Sequence, residues 1–268
     1  MKYFFAFSFF LFTINTTIGQ NREFQLDSFF GKLHDDGRFN GNALIAEKGK
    51  VIYKKSFGLA NATTKQPLNE NSVFELASCS KQFTAMAIAI LNKQNKLNYD
   101  DLISKYTPEL DFYKKVTIRE LINHTSGMPA YEDLLDSGWD KSKIATNKDL
   151  VTLFKKYKPI LHFEPGSQYE YSNTGYELLA IIIARVSKNT YPDFLKTYIF
   201  NPLKMQHSLV YTRRYKPFKI NNYAFGYIYD SPREKQLPDS LFSFNEVYYM
   251  DGIYAISAIF NQLPCLGV

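Results

Sequence analysis

The sequence predicts an α+β domain, built of helices with one antiparallel hairpin near its start. Three observations carry that prediction. Residues 85–91 and 178–183 are apolar almost without interruption, as core helices are. Residues 42–46 and 51–57 flank Glu47-Lys48-Gly49-Lys50, a hairpin with glycine in its turn. At 268 residues and 45% hydrophobic content, without low-complexity segments, the chain is long enough for one sizeable core.

Taken in order, residues 1–20 read as a secretory leader: Lys2 is its positive end, residues 3–14 its apolar core, and residues 15–20 a small, polar exit. The apolar run is short for a membrane span, and no cysteine follows it to carry a lipid. The expectation is therefore a single domain over 21–268, periplasmic or secreted, with no stable membrane anchor after cleavage. The formal charge of +6 is spread through pairs such as Lys54-Lys55, Lys114-Lys115 and Lys155-Lys156. That spread describes solvated faces and not the clustered footprint of a nucleic-acid binder. Two cysteines, Cys79 and Cys265, make no disulfide framework, and Cys79 is expected to serve as packing.

Residues 21–39 carry Phe24, Leu26, Phe29, Phe30 and Leu33 near helical spacing and end at Asp35-Asp36-Gly37, an amphipathic helix and a turn. After the hairpin, residues 61–72 read as a polar connection. Ser78 then opens a long helix, apolar nearly all round and so expected inside the protein, which fades over 92–97. A short segment starts at Asp100 and is broken by Pro108. Residues 116–122 form a short helix with Thr117 as N-cap and Glu120 completing a capping box. In the following loop His124 reads as a brace, because no Gly-x-Ser-x-Gly elbow exists to pair it with a serine. A helix over 147–157 precedes the Pro165-Gly166 turn, which delivers Tyr171-Ser172-Asn173. A second apolar helix covers 176–186, and another covers 193–200, stopped by Pro202. Beyond Met205 the pattern is irregular.

Ser78-x-x-Lys81 occurs once. In a helix three residues advance about 300° and ~4.5 Å, so both side chains leave the same end. A serine hydroxyl needs a neighbour to take its proton, and a lysine can do so where its surroundings favour the neutral amine. Taken alone, the motif fits a helix cap followed by a solvated lysine equally well.

Three further phrases decide the matter. Ile122-Asn123-His124-Thr125-Ser126-Gly127-Met128-Pro129, Phe163-Glu164-Pro165-Gly166 and Tyr171-Ser172-Asn173 follow Ser78-x-x-Lys81 in order. Together they resemble the serine β-lactamase and penicillin-binding-protein superfamily, and within it the class C β-lactamase, D-alanyl-D-alanine carboxypeptidase and esterase branch. The likeness runs from about residue 39 to residue 258. It implies a β-lactamase/transpeptidase-like fold, a helical subdomain plus an antiparallel sheet. It also implies Ser78 as acylated nucleophile, Lys81 as proton relay, Tyr171 as base, and Asn173 orienting Lys81 and the substrate amide. The acyl donors implied are β-lactams, D-Ala-D-Ala peptides of peptidoglycan, or esters. Neither metal nor cofactor is expected, since there is no Cys/His cluster or Gly-rich phosphate loop. The residues point to no oligomeric state.

The family's third motif, Lys/His-Ser/Thr-Gly, has no counterpart after Asn173; Lys196-Thr197-Tyr198 lacks the glycine. Residues 251–258 still resemble the family and residues 259–268 do not. The sequence is thus expected to be a truncated or frame-shifted product, missing the C-terminal strands that would pair with the hairpin. Such a product is an impaired hydrolase, or else a non-catalytic penicillin-binding or sensing protein, or a degenerate gene product.

Overall fold

The structure, a computed structural model, describes residues 14–211, 219–229, 236–238 and 258–260. The expected leader falls largely outside these residues, as do Cys265 and most of the stretch 251–268. Among the described residues the chain packs as two compact units, one over 14–73 and 221–225, the other over 74–211, 219–220, 226–229, 236–238 and 258–260.

In the first unit, helix α1 (Ile14–Asp35) lies on a hairpin of β1 (Gly41–Glu47) and β2 (Lys50–Phe57). The helix starts earlier than its apolar pattern suggested. Lys48 and Gly49 both have positive φ, +50° and +77°, the twist that a two-residue hairpin loop needs. Pairing runs from Gly41 opposite Phe57 to Glu47 opposite Lys50, with an irregularity at Ile45/Ala46. Ala43, Tyr53 and Phe57 are buried, with Leu26, Phe30, Phe39 and Ile45 packed on them. Phe30 stacks on Tyr53 at 5.6 Å. The expected polar connection is in part a second small hairpin, β3 (Leu59–Asn61) with β4 (Gln66–Pro67). Strands this short leave no period of alternation to read.

The second unit is helical. Its core centres on α6 (Asn173–Ser187), in which every residue from Thr174 to Ile183 is buried. Around it pack α2 (Lys81–Lys93), α3 (Ile118–Ile122), α5 (Asn147–Tyr157) and α7 (Tyr191–Leu195). Between α3 and α5 lies α4 (Tyr131–Gly138), which the apolar pattern did not announce. The caps are specific. Thr117 and Glu120 form the expected capping box, Thr146 and Asp149 form another on α5, and the Ser172 hydroxyl accepts the Gly175 N–H at the start of α6. Gly175 allows α6 to approach α3, since a Cβ there would lie 3.2 Å from the Leu121 carbonyl oxygen.

Several expectations need correction. Helix α2 buries one stripe, Lys81, Thr84, Ala87, Ile88 and Leu91, and leaves Met86 53% exposed. Small alanines between the larger residues made it look apolar all round. Ser78 lies in a 3-10 turn, Ala77–Ser80, and the α-helix begins at Lys81. Pro108 opens a 3-10 turn, Pro108–Leu110, where its missing N–H costs nothing. Cys79 is an exposed free thiol and not packing. Helix α7 is shorter than the expected 193–200 helix and continues as a π-helical turn, Lys196–Phe200. Residues 74–75, 258–260 and 209–210 form a three-stranded antiparallel sheet (β5, β9 and β6, with β9 central). Strands 227–229 and 236–238 (β7 and β8) pair as a hairpin.

Candidate active site

Three segments of the helical unit converge on Ser78. The first is its own turn. Ala77 has φ +43°, a left-handed conformation uncommon for a residue with a Cβ, and Ser78 follows it exposed to solvent. Lys81, one turn on, is only 6% exposed.

The second segment is the loop 124–129 with the stretch 162–172 laid along it. The His162 N–H donates to the Gly127 carbonyl at 2.9 Å, Gly166 N–H to Thr125 at 2.8 Å, and Glu170 N–H to His124 at 2.9 Å. Gly127 has φ +67°, and a Cβ there would sit 2.5 Å from the Phe163 carbonyl oxygen. No other residue fits that seam. His124 braces it: its Nδ1 accepts the Ser172 N–H at 3.0 Å, and its ring stacks on Tyr171 at 4.6 Å. Burial, together with the charge of Lys81, holds His124 below the ordinary imidazole value, so the ring stays neutral and able to accept. The seam ends at Tyr171, which is 49% exposed.

The third segment is the start of α6, which presents Asn173. The hydrogen bonds join all four residues. Tyr171 Oη donates to Ser78 Oγ at 2.6 Å. Lys81 Nζ reaches Ser78 Oγ at 3.2 Å and Asn173 Oδ1 at 2.9 Å. Asn173 Nδ2 donates to Glu132 Oε1 on α4 at 2.8 Å. Lys81 Nζ also lies 4.9 Å from the Tyr171 ring centre. Burial raises the Tyr171 phenol, but the hydrogen bonds from Lys81 and Ser78 and the Lys81 charge outweigh it. The net result is a phenol below its ordinary value of 10. A hydroxyl flanked by an acidified phenol and an ammonium can give up and recover a proton during acyl transfer.

Ser78, Lys81, Tyr171 and Asn173 were all legible in the sequence and are all brought together. Two carboxyls were not anticipated. Glu132 lies on the unannounced helix α4. Glu177 is fully buried on α6, with one carboxyl oxygen lacking a hydrogen-bond partner. Burial pushes Glu177 far above the ordinary carboxylate value, against the pull of Lys81. A signal for it existed: it is the lone charge in the apolar run 176–183 and sits one turn after Asn173. Among the described residues no group of histidines, cysteines and carboxylates could hold a metal ion.

Comparison with known proteins agrees with this architecture. The beta-lactamase family profile matches residues 26–231, and the chain belongs to that family. Among curated relatives, penicillin-binding protein 4* of Bacillus subtilis (strain 168) is 46% identical over 235 residues, which is 87% of this chain and 52% of that protein. The chain thus spans about half the length of that relative. Two solved structures share the fold. The penicillin-binding protein from Bacillus halodurans has 26% identity and a TM-score of 0.70, over 86% of this chain and 68% of that one. The octameric penicillin-binding protein homologue from Pyrococcus abyssi has 27% identity and a TM-score of 0.72, over 88% and 53%. The fold is β-lactamase/transpeptidase-like, helices with a small antiparallel sheet.

Proposed function

We propose that the chain performs acyl transfer through a serine ester, with Ser78 as nucleophile. The observation that carries this reading is the meeting of Tyr171 Oη and Lys81 Nζ on one exposed hydroxyl oxygen, at 2.6 and 3.2 Å. As Ser78 Oγ bonds to the substrate carbonyl carbon, its proton passes to the Tyr171–Lys81 pair. The same proton then goes to the departing amine or alkoxide. Water attacks the ester in the reverse sense and restores the hydroxyl. Asn173 holds Lys81 through Oδ1 and retains one N–H for a substrate amide. The lowered phenol of Tyr171 makes the basic form available nearer neutrality than a free tyrosine would.

The acyl donors proposed are β-lactams, D-Ala-D-Ala peptides of peptidoglycan, or simple esters. Residues 1–20 are proposed as a cleaved leader and the site of action as the periplasm or the exterior. Among the described residues no helix is long and apolar enough to cross a membrane.

A polypeptide of these 268 residues has no Lys/His-Ser/Thr-Gly triplet after Asn173. The family resemblance implies that the strand with this triplet supplies one of two oxyanion-hole N–H groups. Loss of one such donor alone costs about 10²–10³ in rate, so slow turnover is expected of this polypeptide. The same observation favours a second reading, a protein that is acylated and keeps the adduct, as a penicillin sensor would. Incubation with a fluorescent penicillin, followed by a chromogenic cephalosporin and a p-nitrophenyl ester, tests both readings. An adduct on the wild type, none on Ser78→Ala, and slow turnover is the expected result. A stable adduct with no turnover selects the sensor. A folded protein that neither turns over nor forms an adduct overturns both.

A further inference from the structure

We propose that Glu132 is a positioning residue, which fixes the orientation of the Asn173 amide and thereby the place of Lys81 against Ser78. The proposal rests on the acyl-transfer reading of Ser78. A side-chain amide has two ends of nearly equal shape, and a half-turn exchanges them. Only one orientation puts the Asn173 oxygen on the Lys81 ammonium; the other sets an NH₂ group, donor only, against three N–H donors. A carboxylate accepts and cannot donate, so Glu132 Oε1, at 2.8 Å from Asn173 Nδ2, permits one orientation alone. With it in place, Oδ1 takes Lys81 Nζ at 2.9 Å, and Nζ lies within 3.2 Å of Ser78 Oγ.

The separation of Glu132 from Asn173 is itself fixed. The N–H of Tyr131, the residue before Glu132, donates to Thr174 Oγ1 at 2.9 Å, and that hydroxyl donates to the Pro129 carbonyl at 2.7 Å. Thr174, the residue after Asn173, is fully buried. One hydroxyl therefore ties the start of α4 to the start of α6, beside the pair whose geometry matters.

The test uses the full chain. Rates of Ser78 acylation by a p-nitrophenyl ester are measured for the wild type, Glu132→Ala, Glu132→Gln and Glu132→Asp. In parallel, the Asn173 side-chain amide is observed in protein labelled with ¹⁵N-asparagine and assigned by its loss in Asn173→Asp. Misplacement of a reacting group by about 1 Å can cost about 10²-fold in rate. A fall of that order is expected in the saturating rate of Glu132→Ala, with little change in KM. Glu132→Gln retains an oxygen that accepts from Asn173 Nδ2 and is expected to recover most of the rate. Glu132→Asp, one methylene short, keeps the charge and is expected to behave like Glu132→Ala. If the alanine variant fails to fold, the aspartate and glutamine pair decides by itself. The Asn173 amide signals are expected to move and to exchange faster in the alanine and aspartate variants and to hold in the glutamine variant. Unchanged Asn173 signals in Glu132→Asp, or a rate loss carried wholly by KM, overturns the proposal. A wild type that is not acylated at Ser78 overturns the acyl-transfer reading instead, and the amide signals still decide the role of Glu132.

Discussion

The two units differ most in how they are held together. The helical unit has a continuous core in which Phe154, Phe194, Ile88, Leu91 and Leu121 have no solvent exposure. In the hairpin unit the core cluster beneath α1 has three buried apolar residues, Ala43, Tyr53 and Phe57, and Ala60, Leu68, Val73 and Ala224 are buried outside it. The unit's ion pairs, Arg22–Glu47, Lys54–Glu70 and Lys55–Asp27, are exposed and contribute little. Among the described residues the β1–β2 sheet has those two strands, and two strands alone are marginal in water. Ser78, Lys81, Tyr171, Asn173 and Glu132 all come from the better-packed unit. The proposed acyl-transfer site thus lies in the unit with the continuous core.

Truncating a core ring in each unit probes this contrast hardest. Phe154→Ala is expected to destabilise the helical unit by about 3–5 kcal/mol, seen as a lower denaturation midpoint and loss of Ser78 labelling. Phe57→Ala is expected to speed amide exchange in β1 and β2 while α6 exchanges as in the wild type. Equal protection of β2 and α6 in the wild-type protein would break the comparison.

Gly127→Ala comes next. Its left-handed backbone and the Phe163 carbonyl leave no room for a methyl group, so a loss of about 1–3 kcal/mol is expected. Because the seam delivers Tyr171, acylation should fall further than stability explains, which labelling at a temperature where the variant is folded will show. Thr117→Ala removes one cap and should cost about 1 kcal/mol, lowering the melting temperature without altering the labelling rate.

A further effect, read as a slope and not as a loss, concerns Glu177. Its folded carboxyl titrates above its unfolded value, so the folded state holds a proton that the unfolded state releases. Stability from this group is full below the unfolded carboxyl value and declines as pH rises above it. Denaturation between pH 5 and pH 8 should therefore show a shallower decline in Glu177→Gln than in the wild type. Equal slopes would mean that Glu177 is ionised in place.

Much of this was legible in the sequence where one physical signal dominated. The helix at 147–157, the capping box at Thr117 and the Gly49 turn each follow from local rules. The four candidate site residues, which the structure brings within hydrogen-bond reach of one another, were singled out because their motifs occur in a fixed order; Ser78 and Lys81 alone could not be told from a helix cap. What escaped depends on tertiary contacts. Helix α4 is short, and its register is set by the Thr174 hydroxyl, a partner more than forty residues away. Glu132 matters only through Asn173, and Ala77 betrays its strained backbone by nothing in its side chain. The hairpin of β3 and β4 is too brief for a period. The exposure of Cys79 could not be read from residue type, because Ser78 on one side of it is exposed and Ser80 on the other is buried.

The central claim is that Ser78 is made reactive by Tyr171 and Lys81, and Cys79 offers a stringent control, an exposed thiol one residue away. Fragment mass spectrometry of the protein after brief exposure to a labelled β-lactam tests the claim directly. The account predicts one adduct, on Ser78, strongly reduced in Tyr171→Phe and absent in Ser78→Ala. An adduct carried on Cys79, or one on Ser78 that forms as fast without the Tyr171 hydroxyl, would contradict it.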